Sequence, residues 1–175
     1  MKRLLVAALL ITAFLAGVSR ANAESPPLFP SVCFSPKGNC AKLLVDFMGT
    51  ANKRLDIAIY SLVNRDIMAA IVTAKNRGVT VRVVCDKLQA KSSTSLIDAL
   101  AKIVPVKYGV QKGIMHLKMS IVDGKFLEEG SMNYTNAADL SNNEDSVYLD
   151  TPSIVSQHQE RFENIWIHGT LVHGQ

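Results

Sequence analysis

The stretch HLKMSIVDGKFLEEGSMN, residues 116–133, places polar side chains at regular positions in a segment that otherwise has the composition of an apolar β-strand. Polar and apolar residues alternate from His116 to residue 122, and alternate side chains of a strand lie on opposite faces. Asp123 and the glycine after it are typical of a tight turn, and a second short strand leads to Ser131 and Asn133. A β-hairpin would therefore bring an imidazole, an ammonium, a hydroxyl and an amide together.

Residues 1–23 have the pattern of a secretory signal peptide. Lys2 and Arg3 form a basic start, a 15-residue apolar run follows, and residues 21–23 have the small side chains of a cleavage site. A membrane anchor is the alternative, but the run is shorter than the roughly 20 apolar residues that a spanning helix needs. We therefore expect cleavage before Glu24, export to the bacterial periplasm or medium, and no stable membrane anchor afterwards.

The composition allows one domain, over residues 24–175, and gives no strong charge to guide partner binding. The whole chain has 19 Lys and Arg against 15 Asp and Glu, but cleavage of the signal peptide would leave 16 basic against 15 acidic residues. Net charge therefore does not support a nucleic-acid partner, which would need a local basic patch instead.

Three cysteines follow the predicted cleavage site, and an exported protein can hold disulfides. Cys33 and Cys40 bracket the turn-rich segment FSPKGN, which favours a small local disulfide. Cys85 ends an apolar strand and is predicted to be a buried thiol rather than a reactive one. The sequence contains no CxxC or HxxxH spacing, so no metal site and no cofactor are predicted.

Apolar strands alternate with amphipathic helices along the rest of the chain. Besides the hairpin, the pattern predicts strands near residues 32–34, 55–62, 79–85, 104–108 and 144–150. It predicts helices over residues 41–54, 65–77, 94–102 and 153–167, and polar loops over residues 86–94 and 134–143. Asn64 can cap the second helix, Gly78 can end it, and Pro152 suits the start of the last helix. This order indicates an α/β fold with a mixed β-sheet flanked by helices on both faces.

With its gaps, the central motif is His116-x-Lys118, four residues, Asp123, six residues, and then Gly130-Ser131-x-Asn133. This spacing resembles the HKD signature of the phospholipase D superfamily with its GSxN extension, and every fixed position is present. The segments FSPKG, YSLVNRDIMAAIVTAKNRGV and NNED also resemble the small exported nucleases of that superfamily. The similarity covers residues 32–166 and implies a single phospholipase D-like catalytic domain with the sandwich fold of these nucleases.

The resemblance implies a metal-independent phosphodiesterase, and the residue types fit that chemistry. Lys118, with the Ser131 hydroxyl and the Asn133 amide, would hold the non-bridging oxygens of a phosphodiester. His116 would attack phosphorus and form a covalent phosphohistidine that water later releases.

Two carboxylates complete the predicted site. By resemblance, Glu144 would accept a hydrogen bond from the second imidazole nitrogen of His116 and so orient the ring. Asp123 belongs to the signature, but its position at a turn favours an orienting role through hydrogen bonds over proton transfer.

Transfer through a histidine also needs a second group that protonates the leaving oxygen. This chain has one HxK, whereas longer members of the superfamily carry two copies. The resemblance therefore implies a twofold homodimer in which each subunit contributes His116 to one shared site.

The favoured activity is that of a poorly sequence-specific endonuclease, with DNA as the preferred substrate and RNA as an alternative. The lysines in or near segments that could border its groove are Lys87, Lys91, Lys107, Lys112 and Lys125. A phospholipase D or phosphatidyl transferase is the second interpretation, supported by the apolar pair Ile114 and Met115 before His116. A third, an inactive binding module, is disfavoured because His116, Lys118 and Glu144 are all intact.

Overall fold

The apolar and β-branched runs form the strands of one mixed sheet in the computed structural model, which describes residues 30–109 and 112–172. The strands are β1 (Ser31–Phe34), β2 (Arg54–Ile59), β3 (Thr80–Cys85), β4 (Val106–Tyr108), β5 (Lys118–Val122), β6 (Phe126–Gly130), β7 (Asp145–Leu149) and β8 (Thr170–Leu171). Their order across the sheet is β1-β7-β6-β5-β2-β3-β4-β8. Strands β2, β3 and β4 are parallel and the other neighbours are antiparallel, so the predicted mixed α/β sheet is confirmed.

Helices cover both faces of this sheet. They are α1 (Cys40–Gly49), α2 (Arg65–Asn76), α3 (Lys87–Ala90), α4 (Ile97–Leu100), α5 (Asn136–Leu140) and α6 (Pro152–His168). As predicted, the side chain of Asn64 caps α2, and Gly78 follows that helix with a φ of +92°. Pro152 occupies the first turn of α6, also as predicted.

Each face of the sheet buries its own apolar cluster. Leu55 and Ile57 of β2 point to the side covered by α1 and α2, where they join the core that contains Phe47. Met119 of β5 points to the other side and packs with Phe162 of α6. Because burial of one such side chain contributes about 1.5–3 kcal/mol, both layers of helices stabilise the sheet.

The predicted loops over residues 86–94 and 134–143 were partly wrong, because each contains a short helix. Asp86 begins α3 by accepting hydrogen bonds from the backbone N–H groups of Leu88 and Gln89, both at 2.9 Å. Thr135 begins α5 by accepting one from the backbone N–H of Ala138 at 3.1 Å. Two other predictions were too long, since α1 ends at Gly49 rather than near residue 54 and α4 has only four residues.

Cys33 and Cys40 form the predicted disulfide, which joins β1 to the start of α1. Cys85 is free and fully buried, as predicted. Burial raises the pKa of its thiol to about 12, and the nearby carboxylates of Asp86 and Asp98 act in the same direction.

The predicted signal peptide, residues 1–23, lies outside the described residues. None of the helices in residues 30–109 and 112–172 combines the length and the hydropathy of a membrane-spanning segment.

The topology gathers the ends of several strands at one edge of the sheet, which we call the site edge. The parallel strands β2, β3 and β4 and the antiparallel strand β6 end there, whereas β5 and β7 begin there. Residues 60–64, 86–90, 116–118, 130–133 and 144 therefore meet at this edge, although they are far apart in the sequence. Ligand sites of open α/β sheets form at the carboxyl ends of the parallel strands, as they would here.

Candidate active site

His116 and Lys118 stand at the site edge, where the chain enters β5. The backbone N–H of Met115 donates a hydrogen bond to the carboxylate of Asp86 at 3.0 Å, which anchors the residue before His116. His116 is exposed and Lys118 is buried. The Lys118 Nζ lies 3.1 and 3.2 Å from the two imidazole nitrogens of His116 and donates to the His116 carbonyl oxygen at 2.7 Å. The predicted nucleophile and the predicted phosphate-binding cation are therefore in direct contact.

The environment of Lys118 weakens its hydration. Burial lowers the pKa of Lys118, and the negative charge of Glu144 opposes that shift. A poorly hydrated ammonium attracts an anion more strongly than one in bulk water does. Lys118 is thus suited to binding a phosphate oxygen that approaches His116.

Ser131 and Glu144 form a second part of the site edge. The Ser131 hydroxyl donates to one carboxylate oxygen of Glu144 at 2.6 Å, and the Asn142 side chain donates to the other at 2.9 Å. Among the described residues, no hydrogen bond joins Glu144 to His116, so within one subunit the expected orienting contact is not seen. The physical reason is the strand order, since β6 lies between the strand after Glu144 and the strand after His116.

Asn133 follows Ser131 by two residues and is half-buried at the same edge. Its side-chain oxygen is buried and has no hydrogen-bond partner among the described residues. A buried polar atom without a partner costs about 1–3 kcal/mol, and native proteins keep few of them. The hydroxyls of Ser31 and Tyr148 are in the same state among the described residues.

Asp123 lies at the opposite edge of the sheet, so the structure does not bring it to the other predicted site residues. It follows Lys118 by five residues of extended chain, which corresponds to roughly 16 Å. Its carboxylate accepts hydrogen bonds from the backbone N–H groups of Asn52, Lys53 and Arg54 at 3.1, 2.8 and 2.8 Å. Burial alone would raise the pKa of Asp123, but these donors outweigh it and hold the pKa below its ordinary value. Its inclusion among catalytic residues is therefore not supported, and the predicted hydrogen-bonding role fits.

A buried polar network underlies the site edge and was not anticipated. The hydroxyl of Tyr134, the residue after Asn133, donates to Glu128 at 2.9 Å and lies 2.6 Å from the Ser120 hydroxyl. Ser146 donates to the other oxygen of Glu128 at 3.0 Å. Burial raises the pKa of Glu128 to about 7, although both donors act against that shift. The network fastens β5, β6 and β7 together beneath the GSxN turn.

Three lysines of the predicted groove are exposed near the site edge, namely Lys87, Lys91 and Lys112. The other two predicted groove lysines do not fit. Lys107 donates to the Trp166 carbonyl oxygen at 2.8 Å and lies over the indole ring, whereas Lys125 is in the β5–β6 turn at the opposite edge. The predicted basic border is therefore shorter than expected.

An open cavity of about 280 Å³ adjoins His116. Its wall is mostly apolar and carries one guanidinium, and the residues beside His116 are Ile114, Met115, Leu117, Arg161 and Ile165. No group of three or more His, Cys, Asp or Glu side chains in residues 30–109 and 112–172 is arranged to hold a metal ion. Independently of this, the Lys118 ammonium contacts both imidazole nitrogens of His116.

The described geometry agrees with the family comparison. A family model described as a cardiolipin synthase, PLD-like domain matches residues 44–166, which include all six predicted site residues. The chain belongs to the phospholipase D superfamily. In this chain, the HKD signature thus has its histidine, lysine, serine and asparagine at the site edge and its aspartate at the opposite edge.

Two solved structures match this chain over nearly their whole length. Nuc from Salmonella typhimurium, a phospholipase D family member, is 29% identical, and the match covers 83% of this chain and 98% of that chain with a TM-score of 0.76. NucT from Helicobacter pylori is 26% identical, with 81% and 98% covered and a TM-score of 0.75. The α/β sheet with helices on both faces is therefore also the fold of Nuc and NucT.

Curated relatives of the superfamily carry names of lipid enzymes. A mitochondrial cardiolipin hydrolase of Chlamydomonas reinhardtii is 33% identical over 123 residues, which are 70% of this chain and 55% of that protein. A phospholipase D of Rickettsia bellii is 30% identical over 134 residues, which are 75% of this chain and 66% of that protein. The chain thus spans less than two thirds of the length of these curated relatives.

Proposed function

We propose that this protein is a phosphodiesterase that cleaves nucleic acid without a metal ion, with DNA as the preferred substrate and RNA as the alternative. The observation that carries the proposal is the contact between exposed His116 and buried Lys118 at the site edge, where the Lys118 Nζ lies 3.1 Å from the His116 Nδ1. A polyanionic chain can cross such an edge, and exposed lysines on α3 and at residue 112 border it.

The reaction proceeds in two displacements at phosphorus. Lys118 and the amide of Asn133 bind the non-bridging oxygens, and a nitrogen of His116 attacks phosphorus as the bond to the leaving oxygen breaks. The leaving oxygen takes a proton from a second acid, which we assign to His116 of the partner subunit in a homodimer. Water then attacks the phosphohistidine, gives up a proton to that same group and restores His116.

The direct test is cleavage of plasmid DNA and of single-stranded oligonucleotides in the presence of EDTA. His116→Ala should abolish cleavage, because the nucleophile is lost, while His168→Ala on the exposed end of α6 should retain it. Rapid quenching of the wild-type reaction should trap a substrate fragment on His116, visible as a mass increase. Substantial activity of His116→Ala, or complete inhibition by the chelator, would contradict the mechanism.

Lipid phosphodiesters are the second candidate substrate, and the cavity beside His116 is the observation that favours them. Ile114 at its rim is 49% exposed, and Met115, Leu117 and Ile165 provide an apolar wall. Vesicles of phosphatidylcholine or cardiolipin should therefore be assayed beside plasmid DNA under the same conditions. Turnover of lipid without cleavage of DNA would replace the nuclease assignment with a phospholipase.

A further inference from the structure

Tyr60 contacts both central residues of the site, although the HKD signature does not include it. It directly follows β2, and Ile59 at the end of β2 pairs with Lys118 across the sheet. The Tyr60 and His116 rings meet edge to face, with centroids 4.5 Å apart and planes at 62°. The Lys118 Nζ lies 5.3 Å from the centroid of the Tyr60 ring, within the range of a cation–π interaction.

The other end of Tyr60 is fixed by α3. The side-chain amide of Gln89 donates a hydrogen bond to the Tyr60 hydroxyl at 3.1 Å. Gln89 is itself held by Asp86, whose carboxylate accepts its backbone N–H at 2.9 Å. The second oxygen of that carboxylate accepts the backbone N–H of Met115 at 3.0 Å. Buried Asp86 thus connects the support of the tyrosine ring to the backbone that carries His116.

We propose that Tyr60 is a positioning residue, whose ring fixes the His116 imidazole and the Lys118 ammonium for attack on phosphorus. This inference rests on the proposed function only in treating His116 as the nucleophile. Within one subunit the carboxylate of Glu144 is bonded to Ser131 and Asn142, so it does not orient the imidazole. The second side-chain torsion angle of a histidine otherwise covers a broad range, and an edge-to-face contact with another ring restricts that range.

The ring of Tyr60, and not its hydroxyl, performs this role. The hydroxyl is bonded to Gln89 on α3, whereas the ring contacts His116 and Lys118. A displacement of about 1 Å at a reacting atom can lower a rate by on the order of 100-fold, so loss of the ring should reduce kcat and leave KM nearly unchanged.

Tyr60→Leu and Tyr60→Phe form the matched pair for the kinetic test. We expect Tyr60→Leu to lower kcat by roughly 10- to 100-fold with KM within about 2-fold of wild type, and Tyr60→Phe to retain most of kcat. An equal loss in both variants would overturn the assignment to the ring. Undiminished kcat in Tyr60→Leu would overturn the proposal as a whole. His116→Ala is assayed in parallel. If that variant is inactive, the assignment of His116 as the nucleophile stands even where the proposal for Tyr60 fails.

NMR of the imidazole resonances provides a measurement that does not depend on activity. In the wild type and in Tyr60→Phe, the neighbouring ring should displace the His116 signals from their free positions. In Tyr60→Leu that displacement should disappear, while the signals of His158 and His168 on α6 stay in place and report an intact fold. Gln89→Met leaves the ring in place and removes only its hydrogen bond, so it should lower kcat less than Tyr60→Leu does. Unchanged His116 signals in Tyr60→Leu would contradict a positioning role.

Discussion

The carboxylate of Asp123 accepts hydrogen bonds from three consecutive backbone N–H groups, those of Asn52, Lys53 and Arg54. These residues form the connection from α1 into β2, the strand that places Tyr60 beside His116. Asp123 adopts a φ of +55°, and aspartate is one of the few residues that tolerates this conformation. Asp123 therefore supports the site indirectly, because it fixes the backbone at the start of β2 and hence the register of that strand.

Removal of the Asp123 carboxylate should affect stability rather than chemistry. We expect Asp123→Ala to lower the free energy of unfolding by about 1–3 kcal/mol, because three backbone donors lose their acceptor. The kcat of the folded fraction should stay close to wild type. Urea denaturation and cleavage assays on the same samples measure both quantities, and Asp123→Asn, which keeps one acceptor oxygen, should lie between the two.

The pH dependence gives an independent check on Asp123. Its pKa is lower in the folded protein than the ordinary value of 3.8, so its stabilisation is complete above that value and disappears as pH falls through the folded pKa. The difference in unfolding free energy between wild type and Asp123→Ala should therefore shrink on acidification below about pH 4. A difference that stays constant to pH 2.5 would show that the charge of Asp123 is not involved.

Single residues also mark where sequence interpretation succeeds and where it stops. His116, Lys118, Ser131 and Asn133 could be found because the hairpin fixes their spacing, and the structure places all four at the site edge. Tyr60 could not be found in that way, because its contact with His116 depends on the pairing of β2 with β5. Sequence spacing does not encode pairing between strands that lie some sixty residues apart.

Strand β1 and its disulfide support the backbone of Glu144. Ser35, just after β1, donates its backbone N–H to the Glu144 carbonyl oxygen at 3.1 Å and accepts the Glu144 N–H at its hydroxyl at 3.2 Å. The same hydroxyl donates to the Asn142 carbonyl oxygen at 3.0 Å. Because β1 is an edge strand paired only with β7, its covalent link to α1 limits its movement.

Loss of the disulfide should therefore reduce both stability and activity. For the loop closed by Cys33 and Cys40, chain entropy predicts a loss of about 2–3 kcal/mol in the double variant Cys33→Ala/Cys40→Ala. We also expect a lower kcat, since Glu144 and Ser131 lose a rigid support. Ser35→Ala is the matched variant, because it keeps the disulfide and removes only the side-chain hydrogen bonds. A wild-type kcat in the double variant would show that the disulfide between β1 and α1 does not support the site.

The elements were predictable in proportion to their length. Helices α2 and α6 have 12 and 17 residues, and their periodic patterns and caps gave boundaries that the structure reproduces within about two residues. Helices α3 and α5 have four and five residues, which is too short for a periodic signal. They form because Asp86 and Thr135 cap them and because the surrounding fold holds them.

At the scale of the whole molecule, the chain carries one HKD motif, whereas the proposed mechanism needs two copies of its histidine. The mixed sheet could be predicted from alternating helices and strands, but not the strand order, in which β5 separates β6 from β2. Long-range pairing of this kind has no local sequence signal. The proposed mechanism requires a second proton donor, and a twofold axis through the site edge would supply the partner's copy of His116.

Mixing experiments test this shared site. Wild type is unfolded and refolded together with increasing fractions of His116→Ala at constant total protein. If both histidines of a dimer are needed, activity should fall as the square of the wild-type fraction, because only fully wild-type dimers act. A linear decline would show that each subunit works alone. Mixing with His168→Ala, which is expected to be active, controls for losses during refolding.

The state of the three native cysteines allows an introduced cysteine to be labelled selectively for spectroscopy. Cys33 and Cys40 form a disulfide, and Cys85 is buried with a thiol pKa of about 12. Thiol-reactive labels should therefore not modify the native cysteines of the folded protein. A cysteine introduced at exposed Ile114 would therefore be labelled selectively without removal of any native cysteine. Spin labels at that position would test the proposed homodimer, because a dipolar coupling between two labels arises only when two copies associate.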